Sequence, residues 1–256
     1  MNKYFPIKTA TACQLKWTWS SVYLYRGETN SCHRVACDPI TPATFDHFHN
    51  TPKKINDRKL MLDGQWPTGG CEYCKNIEDA GGVSDRLMML NIPDLTPPEL
   101  DNDLTKITVT PRIVEISFDN VCNMSCIYCS DRYSSRIQQE NSKFGRYEDL
   151  DSGLVIENLT KKYNDFEELH KSFWQWLDVN YQTTKRFHIA GGEPFYQREL
   201  EQCLDFFETH PSPELCLNLV SNLKVEPKRF ARIIDRMMAL KDSGNLKRIQ
   251  ITGSLD

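Results

Sequence analysis

The chain has 256 residues, of which 39% are hydrophobic and 26% are charged, as in an ordinary globular protein. Its formal net charge of -4 and its pI near 5.9 disfavour a nucleic-acid substrate and give no general attraction to anionic membranes. No apolar run is long enough to span a bilayer, and the first residues lack the apolar segment of a signal peptide. We therefore expect a cytoplasmic protein with no membrane partner.

The chain contains ten cysteines, most of them clustered. Because the cytosol is reducing, a disulfide framework is disfavoured, and clustered cysteines indicate metal or redox chemistry. Residues 13–33 combine aromatic and β-branched residues with a turn at Gly27, which predicts a small hairpin with a cysteine near each end. Residues 53–64 predict a short helix, and the C-x2-C pair Cys71 and Cys74 begins another.

The sequence pattern changes after a proline-rich stretch. Residues 91–111 carry four prolines among polar residues and predict a linker. We therefore predict a small cysteine-rich hairpin-plus-helix domain with its linker at 1–105 and a second domain at 106–256. The second domain alternates strand patterns with helix patterns, which predicts an α/β fold with parallel strands joined by right-handed crossovers. The predicted strands are 112–118, 186–192, 215–222 and 246–256, and the predicted helices are 165–181, 198–210 and 228–242.

The number of these strands bears on the architecture. About four strand–helix units are visible, and a closed barrel needs more. We expect either a partial (β/α) barrel whose last units are missing from this chain, or an open sheet covered by something else.

Three cysteines, Cys122, Cys126 and Cys129, follow the first of these strands in a C-x3-C-x2-C spacing. Soft thiolates favour zinc, copper(I) or iron–sulfur clusters. A [4Fe–4S] cube has four irons, so three cysteines leave one iron open to a ligand that is not protein. The alternative is a zinc site with three cysteines and a distant fourth ligand.

The next strand ends in the turn Gly191-Gly192-Glu193-Pro194. Two missing β-carbons allow a ligand to approach the backbone, Glu193 adds a charged acceptor for an ammonium, and Pro194 stiffens the exit. A turn of this kind also occurs simply where a strand leads into a helix. Here it lies at the carboxyl end of a predicted parallel sheet, where ligands bind.

Together, the three cysteines and the Gly-Gly-Glu-Pro turn resemble the radical S-adenosylmethionine (radical SAM) superfamily over residues 112–256. The resemblance implies a radical SAM barrel in which the amino and carboxylate groups of S-adenosylmethionine chelate the open iron of a [4Fe–4S] cluster. It further implies reductive cleavage of that cofactor to methionine and a 5′-deoxyadenosyl radical, which takes a hydrogen atom from the substrate. No catalytic residue of the protein is assigned.

The resemblance also implies cofactor contacts at several positions. Tyr128 precedes the last cysteine of the motif and would pack near the adenine, unless it only anchors the loop. Polar residues at the next strand ends would face the ribose or the carboxylate, unless they only cap the strands. These residues are Ser221, Asn222, Ser254 and Asp256.

The N-terminal pattern places Cys13, Gly27 and Cys32 upstream of Cys71-x2-Cys74. It is similar to the SPASM and Twitch domains of radical SAM proteins, which implies an auxiliary [4Fe–4S] cluster held by the four cysteines. A structural zinc site is the alternative. Four further residues could be metal ligands, but we expect otherwise. His33 and Cys37 are expected to be bystanders that lie near the site without binding metal, and Cys203 and Cys216 are expected to be buried structural thiols.

Taken as implied by the resemblance, the function is that of a radical SAM oxidoreductase or transferase acting on a peptide or protein side chain. The alternatives are modification of a small metabolite or nucleotide, and a scaffold that binds an iron–sulfur cluster or zinc without turnover. An enzyme of this class needs an electron donor such as flavodoxin or ferredoxin.

Overall fold

The computed structural model describes residues 9–89, 107–145 and 161–254. Within these ranges the protein is α/β, with eight α-helices and a mixed, mostly parallel sheet of seven strands. The strands are β1 (Trp19–Tyr23), β2 (Glu28–Asn30), β3 (Asp38–Pro39), β4 (Ile113–Ser117), β5 (Arg186–Ile189), β6 (Ser212–Ser221) and β7 (Leu246–Gly253). The helices are α1 (Leu15–Thr18), α2 (Pro52–Leu62), α3 (Glu72–Asp79), α4 (Asp85–Met89), α5 (Ser135–Phe144), α6 (Phe166–Asn180), α7 (Arg198–Thr209) and α8 (Pro227–Asp242).

The strand order is β3-β2-β1-β4-β5-β6-β7, so β3 and β7 are the edge strands. β2 and β3 pair antiparallel, whereas β6 and β7 pair parallel. The four strands predicted in the second half of the chain are β4 to β7, adjacent in that order, and the three predicted helices are α6 to α8. The two strands of the predicted N-terminal hairpin are neighbours, but they belong to this same sheet instead of a sheet of their own.

The chain divides into two compact units that interleave along the sequence. Unit 1 comprises the described residues within Met1–Val22, Glu28–Glu115 and Lys171–Arg186. Unit 2 comprises those within Tyr23–Gly27, Ile116–His170 and Phe187–Asp256. The domain boundary predicted near residue 105 lies outside the described residues.

In unit 2, strand β6 has a nearly continuous apolar sequence, which favours burial in the sheet. Leu215, Leu217 and Leu219 are buried, as are residues on the inward face of α7. Cys203 on α7 and Cys216 on β6 are buried, as predicted for structural thiols. None of the described helices is long and apolar enough to cross a membrane.

In unit 1, one buried cation joins several segments of backbone. The side chain of Arg58 on α2 is 0% exposed. Its guanidinium donates hydrogen bonds to the carbonyl oxygens of Lys16 (2.7 Å), His49 (2.7 Å) and Ile107 (2.7 Å) and to Asn50 Oδ1 (2.9 Å). Because a planar guanidinium presents five donors in a fixed geometry, no other side chain matches this set.

We therefore expect Arg58→Met to lower the free energy of unfolding by about 3 kcal/mol, because two buried carbonyl groups and one partly buried carbonyl group lose their donors while the stem of the side chain is kept. Urea unfolding of the purified protein measures the change. The control is Arg232→Met, which removes an exposed ion pair with Glu201 and should cost less than about 1 kcal/mol. Equal and small losses in both variants would contradict this account of Arg58.

Candidate functional site

The loop that carries Cys122, Cys126 and Cys129 connects β4 to α5 and is closed by its own side chains. Asn120 Nδ2 donates to the carbonyl oxygen of Asp131 (3.1 Å), and Ser134 Oγ donates to that of Met124 (2.7 Å). The same Ser134 hydroxyl also accepts from the backbone of the first turn of α5 and caps that helix. The loop therefore returns to its starting point before the helix begins, which holds the three cysteines on one short arc.

The Gly191–Pro194 turn is tied to this loop by two backbone hydrogen bonds. The Gly192 N–H donates to the carbonyl oxygen of Tyr133 (3.1 Å), and the Glu193 N–H donates to that of Val121 (2.7 Å). The two segments, about 60 residues apart in the sequence, are thereby held side by side at the carboxyl ends of β4 and β5, where parallel sheets bind ligands.

Both glycines of the turn have a left-handed backbone, with φ of 79° at Gly191 and 56° at Gly192. A β-carbon on Gly191 would overlap Ser117 Oγ, and one on Gly192 would overlap the carbonyl oxygen of Val121. The sequence suggested that the missing β-carbons leave room for a ligand. In the structure that room is filled by the protein itself, so the turn requires glycine whether or not a ligand binds.

Glu193 is fully buried, and its carboxylate accepts three hydrogen bonds from the protein. Oε1 accepts from Ser221 Oγ (2.8 Å) and from the Phe195 N–H (3.1 Å), and Oε2 accepts from the Asn222 N–H (2.8 Å). Pro194 is also buried and begins a single 3-10 turn. Glu193 thus fastens the carboxyl end of β6 to the end of β5.

Asn222 reaches from that strand end to the cysteine loop. Its Nδ2 donates to Asn123 Oδ1 (2.9 Å) and makes a long hydrogen bond to Cys122 Sγ (3.9 Å). The next residue, Leu223, has a left-handed φ of 57°, and its N–H donates to Ser221 Oγ (2.9 Å). A non-glycine residue in this conformation is strained, so the surrounding hydrogen bonds hold the turn in place.

Ser254 follows β7, the last of the four adjacent strands β4 to β7. Its N–H donates to the carbonyl oxygen of Ser221 (2.8 Å), and its hydroxyl lies 3.3 Å from the hydroxyl of Tyr128. Tyr128 is 67% exposed. Asp256, the other residue predicted at this strand end, lies outside the described residues.

These segments enclose one cavity of about 310 Å³ in unit 2, hereafter the strand-end cavity. This volume lies at the lower end of the range of small-molecule sites, which is about 300–1,000 Å³. Glu193 and Pro194 do not line it, although the rest of the Gly-Gly-Glu-Pro turn does. Four lining residues have no motif that singles them out in the sequence, namely Met124, Ser130, Tyr133 and Val220. Nine predicted site residues do line it, namely Cys122, Cys126, Tyr128, Cys129, Gly191, Gly192, Ser221, Asn222 and Ser254.

The chemistry of the lining suits a thiolate-bound group that is completed from outside. Among the described residues around the strand-end cavity, the three cysteines are joined by no other Cys, His, Asp or Glu. Burial raises the pKa of the Cys129 thiol, and the negative charge of Cys122 adds to the rise. A metal group counters both effects, because it binds cysteine as the thiolate.

The four N-terminal cysteines also lie around one cavity, in unit 1. Cys13, Cys32, Cys71 and Cys74 line a small space of about 20 Å³, hereafter the four-cysteine cavity. The predicted bystanders do not line it: the His33 side chain is 58% exposed and lies beside Glu115, and Cys37 Sγ accepts from Asn30 Nδ2. None of the ten cysteines forms a disulfide bond.

A close approach of two backbone segments brings Cys71 and Cys74 to Cys32. Gly70 has a φ of 128°, and a β-carbon there would overlap the carbonyl oxygen of Arg34. The N–H groups of Gly69 and Gly70 donate to the carboxylate of Glu72 (3.0 and 2.7 Å), which begins α3. Only glycine permits this contact, so the C-x2-C pair depends on the residue before it.

The thiols of the four-cysteine cavity are electrostatically coupled to a buried cation. Burial raises the pKa of Cys13 to about 12, Cys32 adds to the rise, and Lys16 acts in the opposite direction. Burial also lowers the pKa of Lys16, but the negative charges of Cys71 and Asp57 outweigh that effect and raise it.

The donor types at both places are those that bind soft metal ions. Across the part of the chain that the structure describes, no three His, Cys, Asp or Glu side chains are disposed to hold a metal ion as they stand. Comparisons of the chain with models of known protein families, with curated proteins and with solved structures find no match.

The glycine requirement at the strand-end cavity can be tested by Gly192→Ala. We expect a loss of at least about 3 kcal/mol in the free energy of unfolding, from a left-handed φ plus overlap with the Val121 carbonyl. The control is Gly244→Ala, also in unit 2, where φ is 79° and a β-carbon would meet nothing within 4 Å. It should cost only about 1–2 kcal/mol. Equal losses in urea unfolding would show that the overlap is unimportant.

Proposed function

We propose that this chain is a radical SAM enzyme with a partial (β/α) barrel built from β4 to β7 and α6 to α8. The observation that carries the proposal is the strand-end cavity. It brings three cysteines, two glycines of the next strand end and the polar ends of β6 and β7 to one place. In this proposal Cys122, Cys126 and Cys129 hold a [4Fe–4S] cluster that S-adenosylmethionine completes.

Held by Cys122, Cys126 and Cys129, a reduced cluster would supply the single electron for reductive cleavage of S-adenosylmethionine. The residues of this chain bind and orient the cluster and S-adenosylmethionine. Tyr128 offers an exposed ring to the adenine, and Ser254, beside its hydroxyl, offers a hydroxyl to the ribose. Asn222 donates toward the Cys122 sulfur, which orients that ligand and stabilises its negative charge.

The geometry favours a positioning role for Glu193 over direct contact with the ammonium of S-adenosylmethionine. A carboxylate has about four acceptor positions, and three of those on Glu193 are taken by Ser221, Asn222 and Phe195. Its burial leaves it off the cavity surface. Glu193 therefore acts on the cofactor through the end of β6.

The four-cysteine cavity is the second element of the proposal. It would hold an auxiliary [4Fe–4S] cluster, as in SPASM and Twitch domains, with zinc as the alternative occupant. Auxiliary clusters accompany peptide-modifying members of the superfamily, so we propose a peptide or protein side chain as substrate and a flavodoxin or ferredoxin as electron donor. We propose a cytoplasmic location, because that compartment is reducing and none of the ten cysteines forms a disulfide.

The cluster assignment is tested with anaerobically purified, iron-reconstituted protein. Addition of S-adenosylmethionine to the reduced protein should change its electron paramagnetic resonance spectrum and release methionine and 5′-deoxyadenosine. Replacement of Cys122, Cys126 and Cys129 together by alanine should abolish both effects. Cys216→Ala, which changes a buried thiol on β6, is the matched control and should retain them. A spectrum that does not respond to S-adenosylmethionine in the unmutated protein refutes the proposal.

The role of Glu193 is tested by a double-mutant cycle. In Glu193→Gln, an amide replaces one carboxylate oxygen and cannot accept from both strand-end donors, so the affinity for S-adenosylmethionine should fall about tenfold or more. If Glu193 acts through Asn222, the pair Glu193→Gln and Asn222→Ala should bind no more weakly than the weaker single variant. Additive losses, with the iron content unchanged, would instead indicate that Glu193 touches the cofactor directly.

A further inference from the structure

Lys16 is the buried cation of the four-cysteine cavity. It lies on α1, three residues after Cys13, and its side chain is only 2% exposed. It lines the cavity together with all four cysteines, and its ammonium interacts electrostatically with Cys13 and Cys71. A buried lysine normally has a carboxylate of its own, because an unpaired charge is costly to remove from water.

Lys16 does not have a carboxylate of its own. Its Nζ lies 2.6 Å from Asp57 Oδ2, and the same oxygen accepts from Lys53 Nζ at 2.9 Å. Two ammonium groups therefore share one carboxylate, and the set of Lys16, Asp57 and the partly exposed Lys53 carries one net positive charge.

The other two cations around the cavity are each matched by a carboxylate. Arg34 pairs with Asp85 at 2.9 Å, and Arg86 pairs with Glu78. Counted in these pairs, each arginine is neutralised by its own partner. The net positive charge near the cavity thus belongs to the set of Lys16, Asp57 and Lys53, of which Lys16 lines the cavity.

A metal group held by four thiolates has the complementary charge. Four thiolates around a zinc ion, or around an oxidised [4Fe–4S] cluster, leave two net negative charges. Burying such a group is unfavourable unless a cation lies close to it. The ammonium of Lys16 is positively charged and lines the four-cysteine cavity, where it can compensate the negative charge of such a metal group.

We propose that Lys16 is the counter-cation of the metal centre in the four-cysteine cavity. Lys16 is a positioning and charge-compensating residue and not a metal ligand. The inference rests on the proposed N-terminal metal centre but not on the chemistry of S-adenosylmethionine.

The test uses the full chain with Cys122, Cys126 and Cys129 replaced by alanine, so that the four-cysteine cavity can be studied alone. Zinc is the probe, and its affinity is measured by competition with a chromophoric chelator. Lys16→Met should weaken zinc binding about tenfold or more, because one positive charge is lost beside the thiolates. Lys59→Met, an exposed lysine on α2, is the matched control and should leave the affinity unchanged.

A second variant predicts a change of opposite sign. Asp57→Asn raises the excess charge at Lys16 and Lys53 from one to two, so it should bind zinc at least as tightly as the parent. If Lys16 and Asp57 only stabilise the fold, Asp57→Asn should weaken zinc binding as Lys16→Met does. The sign of the Asp57→Asn effect therefore decides the proposal even if Lys16→Met fails to fold.

The remaining outcomes separate this inference from the proposed function. Unchanged affinity in Lys16→Met, or parallel losses in both variants, overturns the role of Lys16. A parent whose zinc affinity is not reduced by Cys13→Ala has no metal centre in this cavity, which also overturns the inference. Neither result bears on the response of the Cys122 site to S-adenosylmethionine, and failure of that response leaves the zinc results unaffected.

Discussion

The carboxylate of Glu193 accepts hydrogen bonds from Ser221 and Asn222 at the end of β6 and from Phe195 in its own turn, and the strand-end cavity depends on this set of bonds. The same residue donates its N–H to Val121 at the start of the cysteine loop. Three strand ends are thereby fixed to each other by one buried residue. An unpaired buried carboxylate would be strongly unfavourable, so the three donors and the carboxylate stabilise one another.

Glycine residues are needed at these contacts because a neighbouring chain segment occupies the space that a β-carbon would take. Gly191 and Gly192 leave space that Ser117 and Val121 occupy, and Gly70 does the same for Arg34 beside the four-cysteine cavity. Each cysteine group therefore depends on a close contact of two chain segments next to it. The cysteines supply the chemistry, and the glycines allow the segments to approach closely enough for the thiols to share a cavity.

The two cysteine cavities differ in their electrostatics. The described lining of the strand-end cavity contains no charged side chain, whereas the charged residues that line the four-cysteine cavity are Lys16, Arg34, Arg86 and Asp85. A centre with four protein ligands is closed and must have its charge compensated by the protein. A centre with three ligands can leave part of that compensation to the molecule that completes it, and S-adenosylmethionine carries a sulfonium. The proposed division into an auxiliary and a catalytic centre fits this difference.

The sequence by itself determined strands β4 to β7, helices α6 to α8 and the burial of Cys203 and Cys216, but not helix α5. These features depend on local periodicity and on apolar character, which a linear pattern records. The hairpin strands were also predicted, but their place in the seven-stranded sheet was not, because strand order depends on pairing between distant segments. Only the tertiary structure decided what fills the space beside Gly192, which strand-end donors bond to the Glu193 carboxylate and which carboxylate pairs with Lys16. Each of these contacts joins residues that are far apart in the chain, and no local pattern specifies them.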